Sequence, residues 1–435
     1  MRHLTKYVGG VVLAFGVACG PPEAMIEESK GQLVQEQDQA ALDRVGGAPA
    51  DTGAPLNVAA MAYLRVYPQM SMADAMAAAS QQEARKALYE GLTKHGDSSF
   101  GGAWFDPPAG VSHVAVTNPA AAALAAKLGK ELGLKVETTL VRRSFAELER
   151  QAEALRNGTD ALGRDARGQV GIDVKTNQVV VAVPAQQKGA WERTAPAGVA
   201  VIADPNLNVE EDAGCTSRFA CDWTIRAGAA LWRGSDGFVC SVGFTARDAS
   251  NNRFTFTAGH CSNGNGVNWG TGALSIGPMY ASVNSGACDG AIIRVTNSWF
   301  TGDSGGEIYN EYTAGKTVNL NGVAPTLGYI WAGDTTCLAA NYTEPNGPSY
   351  CGVIGTNSDA AVRGMARVDG LDACGGDSGG GWYWLTSSGT RIAYGVHSRS
   401  DGGCHGDSGG SRSWFSPLPT LKSSWVPWLN VEVRP

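Results

Sequence analysis

Three serines in the sequence have the local surroundings of a nucleophile. The cassette Gly-Asp-Ser-Gly-Gly occurs three times and centres on Ser304, Ser378 and Ser408. A serine hydroxyl is a weak nucleophile at neutral pH, so it needs an imidazole to take its proton and a carboxylate to hold that imidazole in the right tautomer. The chemistry in question is acyl transfer through a serine, and the working serine is the one that has these partners.

One histidine has the setting of a general base. The cysteine-bearing part of the chain contains three histidines, His260, His397 and His405. His260 ends the string Phe-Thr-Phe-Thr-Ala-Gly-His-Cys, an apolar β-like run closed by a turn and a cysteine. Such a position is rigid, as a general base requires. A structural histidine beside a disulfide is the alternative, but the specificity of the Thr-Ala-Gly-His-Cys string favours the base.

An aspartate further along the chain can orient the imidazole. Asp289 begins the run Asp-Gly-Ala-Ile-Ile-Arg-Val, which is typical of a buried strand. Because a charge at the mouth of an apolar strand needs a partner, we predict that it orients His260. The alternative is a turn aspartate that caps the strand.

The composition restricts the classes of partner and cofactor. The chain has 435 residues, 43% hydrophobic and 17% charged, which predicts a folded protein of two or three domains. Its net charge is −7, and no Lys/Arg-rich run is present, so we expect no nucleic-acid partner. The cysteines lack a metal-ligand spacing, so we expect neither a metal nor an organic cofactor.

The N-terminus has the pattern of an export signal, which we assign to residues 1–22. Basic residues precede an apolar stretch at residues 8–18 that is too short to span a bilayer. We therefore expect a secreted protein. The small residues 16–18 suit a signal peptidase, but Cys19 follows directly, where a bacterial lipoprotein is cut and lipidated. Both alternatives stay open, and no later segment reads as transmembrane.

Composition and periodicity divide the rest of the chain into four parts. Residues 23–58 read as a flexible lead-in, and residues 59–185 as a small α+β module without cysteine. Residues 186–214 are Pro/Ala/Gly-rich and then acidic, which indicates a linker with a processing site. Residues 215–435 have short apolar runs separated by turn residues, as expected for an all-β domain.

Several elements can be predicted within these parts. Ser144 and Glu147 form a capping-box pattern that opens a helix, and a hairpin is predicted around residues 175–178. The other predicted elements are a helix over 70–92, a strand at 114–117, a helix over 120–132, a strand at 134–141, and a short terminal helix within 418–429.

The order of the chemical motifs resembles a known protein family. The string Cys-Ser-Val-Gly-Phe at 240–244, the His260 string, the Asp289 string and a serine cassette, in this order, resemble bacterial chymotrypsin-like proteases of the streptogrisin and α-lytic protease type. Upstream segments such as 99–104 and 171–183 resemble the pro-regions of that family, which act as folding catalysts and inhibitors. The resemblance implies a zymogen: an all-β, chymotrypsin-like double β-barrel protease domain of six strands per barrel, preceded by a small α+β pro-domain.

The resemblance also separates the three serines. Ser304 follows Asp289 too closely to leave room for a second barrel, and Ser408 leaves too few residues for the strands that wall the substrate site. Ser378 lies far enough from both ends and is followed by apolar strands. We therefore predict that Ser378 is the nucleophile, with the backbone N–H groups of Gly376 and Ser378 forming the oxyanion hole.

Two residues of the predicted substrate pocket indicate different preferences for the residue before the scissile bond. Asp372 stands six residues before Ser378, as in trypsin, where an acid at that spacing selects Arg or Lys; streptogrisins usually have a longer segment there. His397, directly before Ser398, resembles relatives that prefer Glu, although Asp372 and His397 could instead pair with each other. We favour cleavage after Arg or Lys, and acidic, small or apolar preferences stay open.

The cysteines and partners follow from the same resemblance. Together with the spacings it suggests the disulfide pairs Cys215–Cys221, Cys240–Cys261, Cys337–Cys351 and Cys374–Cys404, with Cys288 left over. The expected partners are protein or peptide substrates and the chain's own pro-region, and we expect a monomer. A catalytically silent, protease-like binding module is the rival function from another class.

Overall fold

A computed structural model describes residues 55–94, 97–156, 170–183, 185–203, 210–211, 225–271, 274–301, 305–309, 317–341, 351–371, 373–401 and 411–434. The helices within these ranges are α1 (Pro55–Val66), α2 (Met72–Ser80), α3 (Gln82–Thr93), α4 (Pro119–Glu131), α5 (Phe145–Arg156), α6 (Ala185–Glu192), α7 (Ser298–Thr301) and α8 (Leu418–Ser424).

The strands that precede the predicted protease domain are β1 (Phe100–Asp106), β2 (Val111–Val116), β3 (Val136–Leu140), β4 (Val170–Asp173), β5 (Gln178–Val183), β6 (Val199–Ala203) and β7 (Glu210–Glu211). Those of the first half of the protease domain are β8 (Ala230–Arg233), β9 (Val239–Ser241), β10 (Thr245–Arg247), β11 (Arg253–Thr257), β12 (Asn268–Thr271), β13 (Leu274–Ser285), β14 (Cys288–Arg294), β15 (Glu307–Tyr309) and β16 (Thr317–Asn319). The second half contains β17 (Gly322–Val323), β18 (Thr335–Ala339), β19 (Cys351–Asp359), β20 (Met365–Asp369), β21 (Gly381–Leu385), β22 (Arg391–Ser400), β23 (Arg412–Pro417) and β24 (Asn430–Val431).

The N-terminal α+β part contains two small sheets with helices packed on them. Strands β1, β2 and β3 form one sheet, and β4, β5 and β6 form the other. Helix α5 begins with the predicted capping box, because the Ser144 N–H donates to Glu147 Oε2 at 2.8 Å and the Glu147 N–H donates to Ser144 Oγ at 3.3 Å. Local sequence signals are therefore sufficient to start this helix.

The single helix predicted over residues 70–92 is divided in two. Helix α2 ends and α3 begins at Gln81, and Ser71 caps the start of α2 by accepting a hydrogen bond from the Asp74 N–H. The break turns the first residue of α3, Gln82, toward the protease part, where its side chain makes three hydrogen bonds to Thr335. A contact distant in sequence therefore decides where the helix is interrupted.

The segment predicted as a linker, residues 186–214, contains regular structure in its first half. Helix α6 leads to strand β6, which pairs in parallel with β5 in the register Val181 to Val201. A parallel neighbour needs a crossover, and α6 provides it. The α+β part therefore extends to Ala203, beyond the predicted boundary at residue 185.

In the described ranges beyond residue 225, most of the regular structure is β-strand, and the strands form two barrels. Strands β22, β21, β18, β19, β20 and β23 pair in this order, and β23 pairs again with β22, so this six-stranded barrel is closed. The other barrel is a path of eight strands, β24-β10-β11-β14-β13-β12-β8-β9, whose ends do not pair within the described residues. The predicted fold class, a chymotrypsin-like double barrel behind an α+β pro-domain, is confirmed, although the first barrel is half open.

The α+β part packs against the closed barrel. Tyr89 and Phe145 from the α+β part share one hydrophobic core with Tyr329, Trp382 and Tyr394 of the barrel. Main-chain contacts reinforce this packing, since the Phe105 N–H donates to the Ala332 carbonyl at 2.8 Å. Docking therefore buries a face of the closed barrel. None of the helices in the described ranges has the length and apolar character needed to cross a membrane.

Candidate active site

A tight turn after strand β11 positions His260. The turn Gly259–Cys261 is a single 3-10 turn, and Cys261 is fully buried. A Cβ atom on Gly259 would lie 1.9 Å from the Val283 carbonyl oxygen and 2.8 Å from Asp289 Oδ1, so only glycine fits here. The glycine thus allows the histidine backbone to approach the aspartate.

Asp289 holds His260 by two hydrogen bonds. The His260 main-chain N–H donates to Asp289 Oδ1 at 2.9 Å, and His260 Nδ1 lies 2.7 Å from Asp289 Oδ2. Asp289 is itself fully buried on strand β14, and its own N–H donates to Ser416 Oγ at 2.8 Å. The carboxylate therefore fixes both the position and the ring orientation of the histidine.

The environment of Asp289 favours its ionised form. Burial on its own would raise the pKa of this carboxyl, but the adjacent His260 and the hydrogen bonds from His260 and Ser398 outweigh burial and hold the pKa well below its usual range. The Ser398 hydroxyl donates to Asp289 Oδ2 at 2.5 Å. The site therefore keeps a negative charge beside the imidazole at neutral pH.

Ser378 stands on the opposite side of the imidazole. Its Oγ lies 2.8 Å from His260 Nε2, within hydrogen-bonding distance for proton transfer. The turn that carries it fits closely against the first barrel: Gly379 has φ +91, and a Cβ there would lie 2.2 Å from Thr257 Oγ1. The Ser241 N–H also donates to the Ser378 carbonyl at 2.7 Å. Contacts across the junction of the barrels thus hold the serine in place.

Asp289, His260 and Ser378 therefore form one hydrogen-bonded line at the barrel junction. Both outer members, Asp289 and Ser378, are fully buried, and the His260 side chain is only 3% exposed. The arrangement can move a proton from the serine hydroxyl to an imidazole supported by a carboxylate. Asp377, also buried, accepts a hydrogen bond from the Cys374 N–H at 2.8 Å and so stabilises the turn before the serine.

The predicted oxyanion donors lie on the same turn. Gly376 has φ +97, which a residue with a side chain rarely adopts. Its carbonyl accepts a hydrogen bond from Ser241 Oγ at 2.9 Å. Among the described residues, neither the Gly376 N–H nor the Ser378 N–H has a hydrogen-bond acceptor. Both N–H groups are therefore available to a substrate oxygen.

The predicted pocket residues have different surroundings. Ser398 Oγ donates to Asp289 Oδ2, so this side chain supports the carboxylate, and its place in the pocket stays a prediction. His397 is fully buried, and its Nδ1 accepts a hydrogen bond from Trp382 Nε1 at 3.2 Å. Asp372 lies outside the described residues, as do Ser304 and Ser408.

Two of the suggested disulfides are present between described cysteines. Cys240 is bonded to Cys261 and Cys337 to Cys351, with S–S distances of 1.98 and 1.91 Å. Cys374 is also disulfide-bonded. So is Cys288, and the expectation that it is left over was wrong. The suggested pairs that involve Cys215, Cys221 and Cys404 remain predictions, because these residues lie outside the described ranges.

The supporting roles of three serines escaped the sequence analysis. Ser398 and Ser416 fix Asp289, and Ser241 links the turn of Gly376 to the Asn341 N–H, which donates to its Oγ at 2.8 Å. Ser398 was predicted only as a pocket residue, and Ser241 was quoted only as part of the string at 240–244. Their positions on strands that meet at the junction give them these roles.

The first comparison concerns the α+β part. Residues 73–131 match the family model described as "Alpha-lytic protease pro N-terminal". The matched segment runs from the start of α2 to the end of α4, ahead of the double barrel. The chain is similar to a bacterial chymotrypsin-like protease that carries its pro-region. Its coarse class is therefore that of a peptidase precursor, a hydrolase, in which a pro-region is docked on a chymotrypsin-like fold.

The other comparisons concern solved structures and curated sequences. The crystal structure of Nocardiopsis protease matches with 28% sequence identity, and the match covers 48% of this chain and 100% of that protein, with a TM-score of 0.37. No match was found among curated protein sequences.

Proposed function

We propose that the chain is a secreted serine endopeptidase made as a self-processing zymogen. The observation that carries this proposal is the hydrogen-bonded line from Asp289 through His260 to Ser378. Ser378 attacks the scissile carbonyl, His260 takes its proton and returns it to the leaving amine, and Asp289 stabilises the imidazolium. Water then hydrolyses the acyl-enzyme with His260 as the base.

The oxyanion formed in each step needs hydrogen-bond donors at the same turn. We assign this role to the backbone N–H groups of Gly376 and Ser378, which have no other acceptor among the described residues. Such donors are worth on the order of hundredfold or more in turnover. The complete set of groups argues against the rival function, a silent binding module.

Self-processing is supported by strand β7. This strand pairs antiparallel with β22, with Glu211 opposite Arg399 and Glu210 opposite Ser400. Ser398, which binds the orienting carboxylate, precedes this pair on the same strand. An extended segment added to such an edge is how many peptides are bound by proteins. The segment after the pro-region therefore has the position of a bound peptide, and we propose that the cut falls upstream of Cys215.

The preferred residue before the scissile bond is a separate proposal. We propose cleavage after Arg or Lys, from the spacing of Asp372 and Ser378. His397 gives less support to an acidic preference, since its Nδ1 already accepts a hydrogen bond from Trp382 Nε1. Cleavage of a mixed peptide library by wild type and Asp372→Asn tests this; an unchanged preference in the variant would contradict it.

The test of the catalytic proposal uses the full chain. Ser378→Ala should give an intact precursor, whereas Ser423→Ala, which changes an exposed serine on α8, should be processed like wild type. Mass spectrometry of the products and sequencing of the new N-terminus provide the readout. Continued self-cleavage by Ser378→Ala would contradict the assignment and point to Ser304 or Ser408. The same mass measurement on exported protein shows whether Cys19 carries lipid.

A further inference from the structure

Four aromatic rings from two strands of the closed barrel and from the segment that precedes β18 surround a lysine ammonium that comes from the pro-region. The Lys86 Nζ on α3 lies 5.1, 5.5, 5.9 and 5.9 Å from the ring centres of Tyr329, Trp331, Trp384 and Tyr394. Cations at such distances from aromatic faces are attracted by the ring quadrupoles. We call these four residues together with Asp334 the ammonium cage.

Asp334 provides the charge of the cage. Lys86 Nζ lies 2.5 Å from Asp334 Oδ2, and Arg85 Nε lies 2.7 Å from Oδ1. Every hydrogen bond that the described residues make to this carboxylate comes from these two pro-region residues. Asp334 is fully buried, and an ion without partners in such a place is strongly unfavourable. Departure of the pro-region therefore leaves a carboxylate that needs a new cation or water.

The cage is assembled by the barrel itself. The Tyr329 ring contacts the rings of Trp384 and Tyr394, with centres 6.5 and 6.4 Å apart. The Asp334 carbonyl accepts a hydrogen bond from the Ile354 N–H at 2.8 Å, which fixes its backbone to β19. These contacts do not involve the pro-region. The site is thus preorganised for its ligand.

The two pro-region cations differ in what they touch. The Arg85 guanidinium lies 3.8 Å from the ring centre of Phe105, a residue of the pro-region's own strand β1. Only Lys86 contacts the aromatic rings of the barrel, and its ammonium also donates to the Tyr329 carbonyl at 2.7 Å. The cage therefore suits an ammonium on a slender aliphatic stem better than a planar guanidinium.

We propose that Lys86 is a placeholder, and that after the pro-region has left, the ammonium cage binds a lysine side chain of a polypeptide substrate. The inference rests on the proposed function in one respect, since it requires removal of the pro-region. Tyr394 and Ser398 lie four residues apart on β22, about 13 Å along the strand. A substrate held at the cage can therefore reach the catalytic serine, and the cage acts as a second recognition site.

The first test needs no processing. In the Ser378→Ala precursor, Lys86→Ala empties the cage and leaves Asp334 in place, so n-propylammonium, which matches the atoms removed, should bind there. We expect it to raise the melting temperature of Lys86→Ala by several degrees, with no such rise in the Lys86 parent or with neutral n-propanol. Adding Asp334→Asn should abolish the rise. An equal response in parent and variant, or to propanol, would overturn the proposal.

The second test uses processed wild-type protein and does not depend on the folding of the cage variants. Tryptophan fluorescence is followed during titration with N-acetyl-lysine amide and with its uncharged analogue N-acetyl-norleucine amide. We expect saturable binding that is at least tenfold tighter for the lysine compound. Blocking Ser378 with a sulfonyl fluoride excludes binding in the catalytic pocket from the readout. Equal binding of both compounds would contradict the inference. Failure of the wild-type protein to process itself would contradict only the proposed function.

Discussion

Two aspartates of the catalytic domain are completely buried, and they obtain their partners from different parts of the chain. Asp289 is bound by His260 and Ser398, which both belong to the double barrel. Asp334 is bound by Arg85 and Lys86, which belong to the pro-region. The first charge therefore keeps its partners whether or not the α+β part is present, whereas removal of that part would take both partners from the second.

This difference separates two uses of a buried carboxylate. A buried ion pair contributes little net stability, but removing one partner is costly because the other charge stays behind without compensation. At the proposed catalytic site, the paired carboxylate of Asp289 holds the imidazole of His260 in one orientation. At the docking site it makes the attachment of the pro-region depend on a few residues. Exchanging each aspartate for asparagine should therefore produce two different defects.

The largest effect is expected from Asp289→Asn. The amide no longer stabilises the imidazolium and favours the wrong tautomer of His260, so turnover should fall by about 10⁴-fold. The hydrolysis rate of a peptide substrate and the rate of self-processing provide the measurement. Asp334→Asn is the matched control, because it alters the other buried aspartate. If processed Asp334→Asn protein loses as much turnover, the distinction between the two sites is wrong.

The next largest effect is expected from Asp334→Asn in the uncleaved Ser378→Ala precursor. This substitution leaves Arg85 and Lys86 buried without an opposite charge, which costs about 3–5 kcal/mol of docking free energy. Urea unfolding followed by tryptophan fluorescence measures the loss. Replacing all three charged residues by apolar ones, as Arg85→Met, Lys86→Met and Asp334→Leu, should be less harmful. A triple variant as unstable as the single one would show that burial of unpaired charge is not the cause.

A smaller effect is expected from Ser398→Ala, which removes one hydrogen bond to the Asp289 carboxylate. Such a bond to a charged group is worth about 1.5–3 kcal/mol, so turnover should fall about ten- to hundredfold. The pKa of Asp289 is lowered in the folded protein, so its contribution to stability is present above about pH 4 and is lost as the pH falls further. Unfolding followed as a function of pH should show the variant's full deficit at neutral pH, and the deficit should shrink only below about pH 4, as the pH falls toward the lowered pKa of Asp289. A deficit that stays constant down to the lowest pH at which the wild-type protein folds would mean that packing, not the charge, is responsible.

Features that depend on residues close together in the chain could be predicted from the sequence alone. The motifs around His260, Asp289 and Ser378 lie in separate strings, and the structure brings these side chains together. The capping box at Ser144 was confirmed for the same reason, since both of its members lie within four residues. Whether the three catalytic residues act as proposed is a question for the variants above.

Features that depend on distant residues could not be predicted. Ser398 is separated from Asp289 by 109 positions, and Lys86 from Asp334 by 248, so neither pair has a local signature. The break of the first predicted helix at Gln81 has the same origin, because the contact of Gln82 with Thr335 spans the two parts of the chain. Strand β6 was missed because its pairing with β5 requires the crossover helix α6.

The short connection between β6 and β7 has a consequence for kinetics. Ala203 ends the docked pro-region's last strand, and Glu210 begins the segment that pairs beside the catalytic centre. Seven residue steps reach at most about 25 Å, so the strand delivered to a catalytic centre is tethered to the same molecule's pro-region. A reaction between two parts of one molecule is first order. Maturation should therefore have a half-life that does not change on dilution, and a newly exported molecule should mature without meeting a second one.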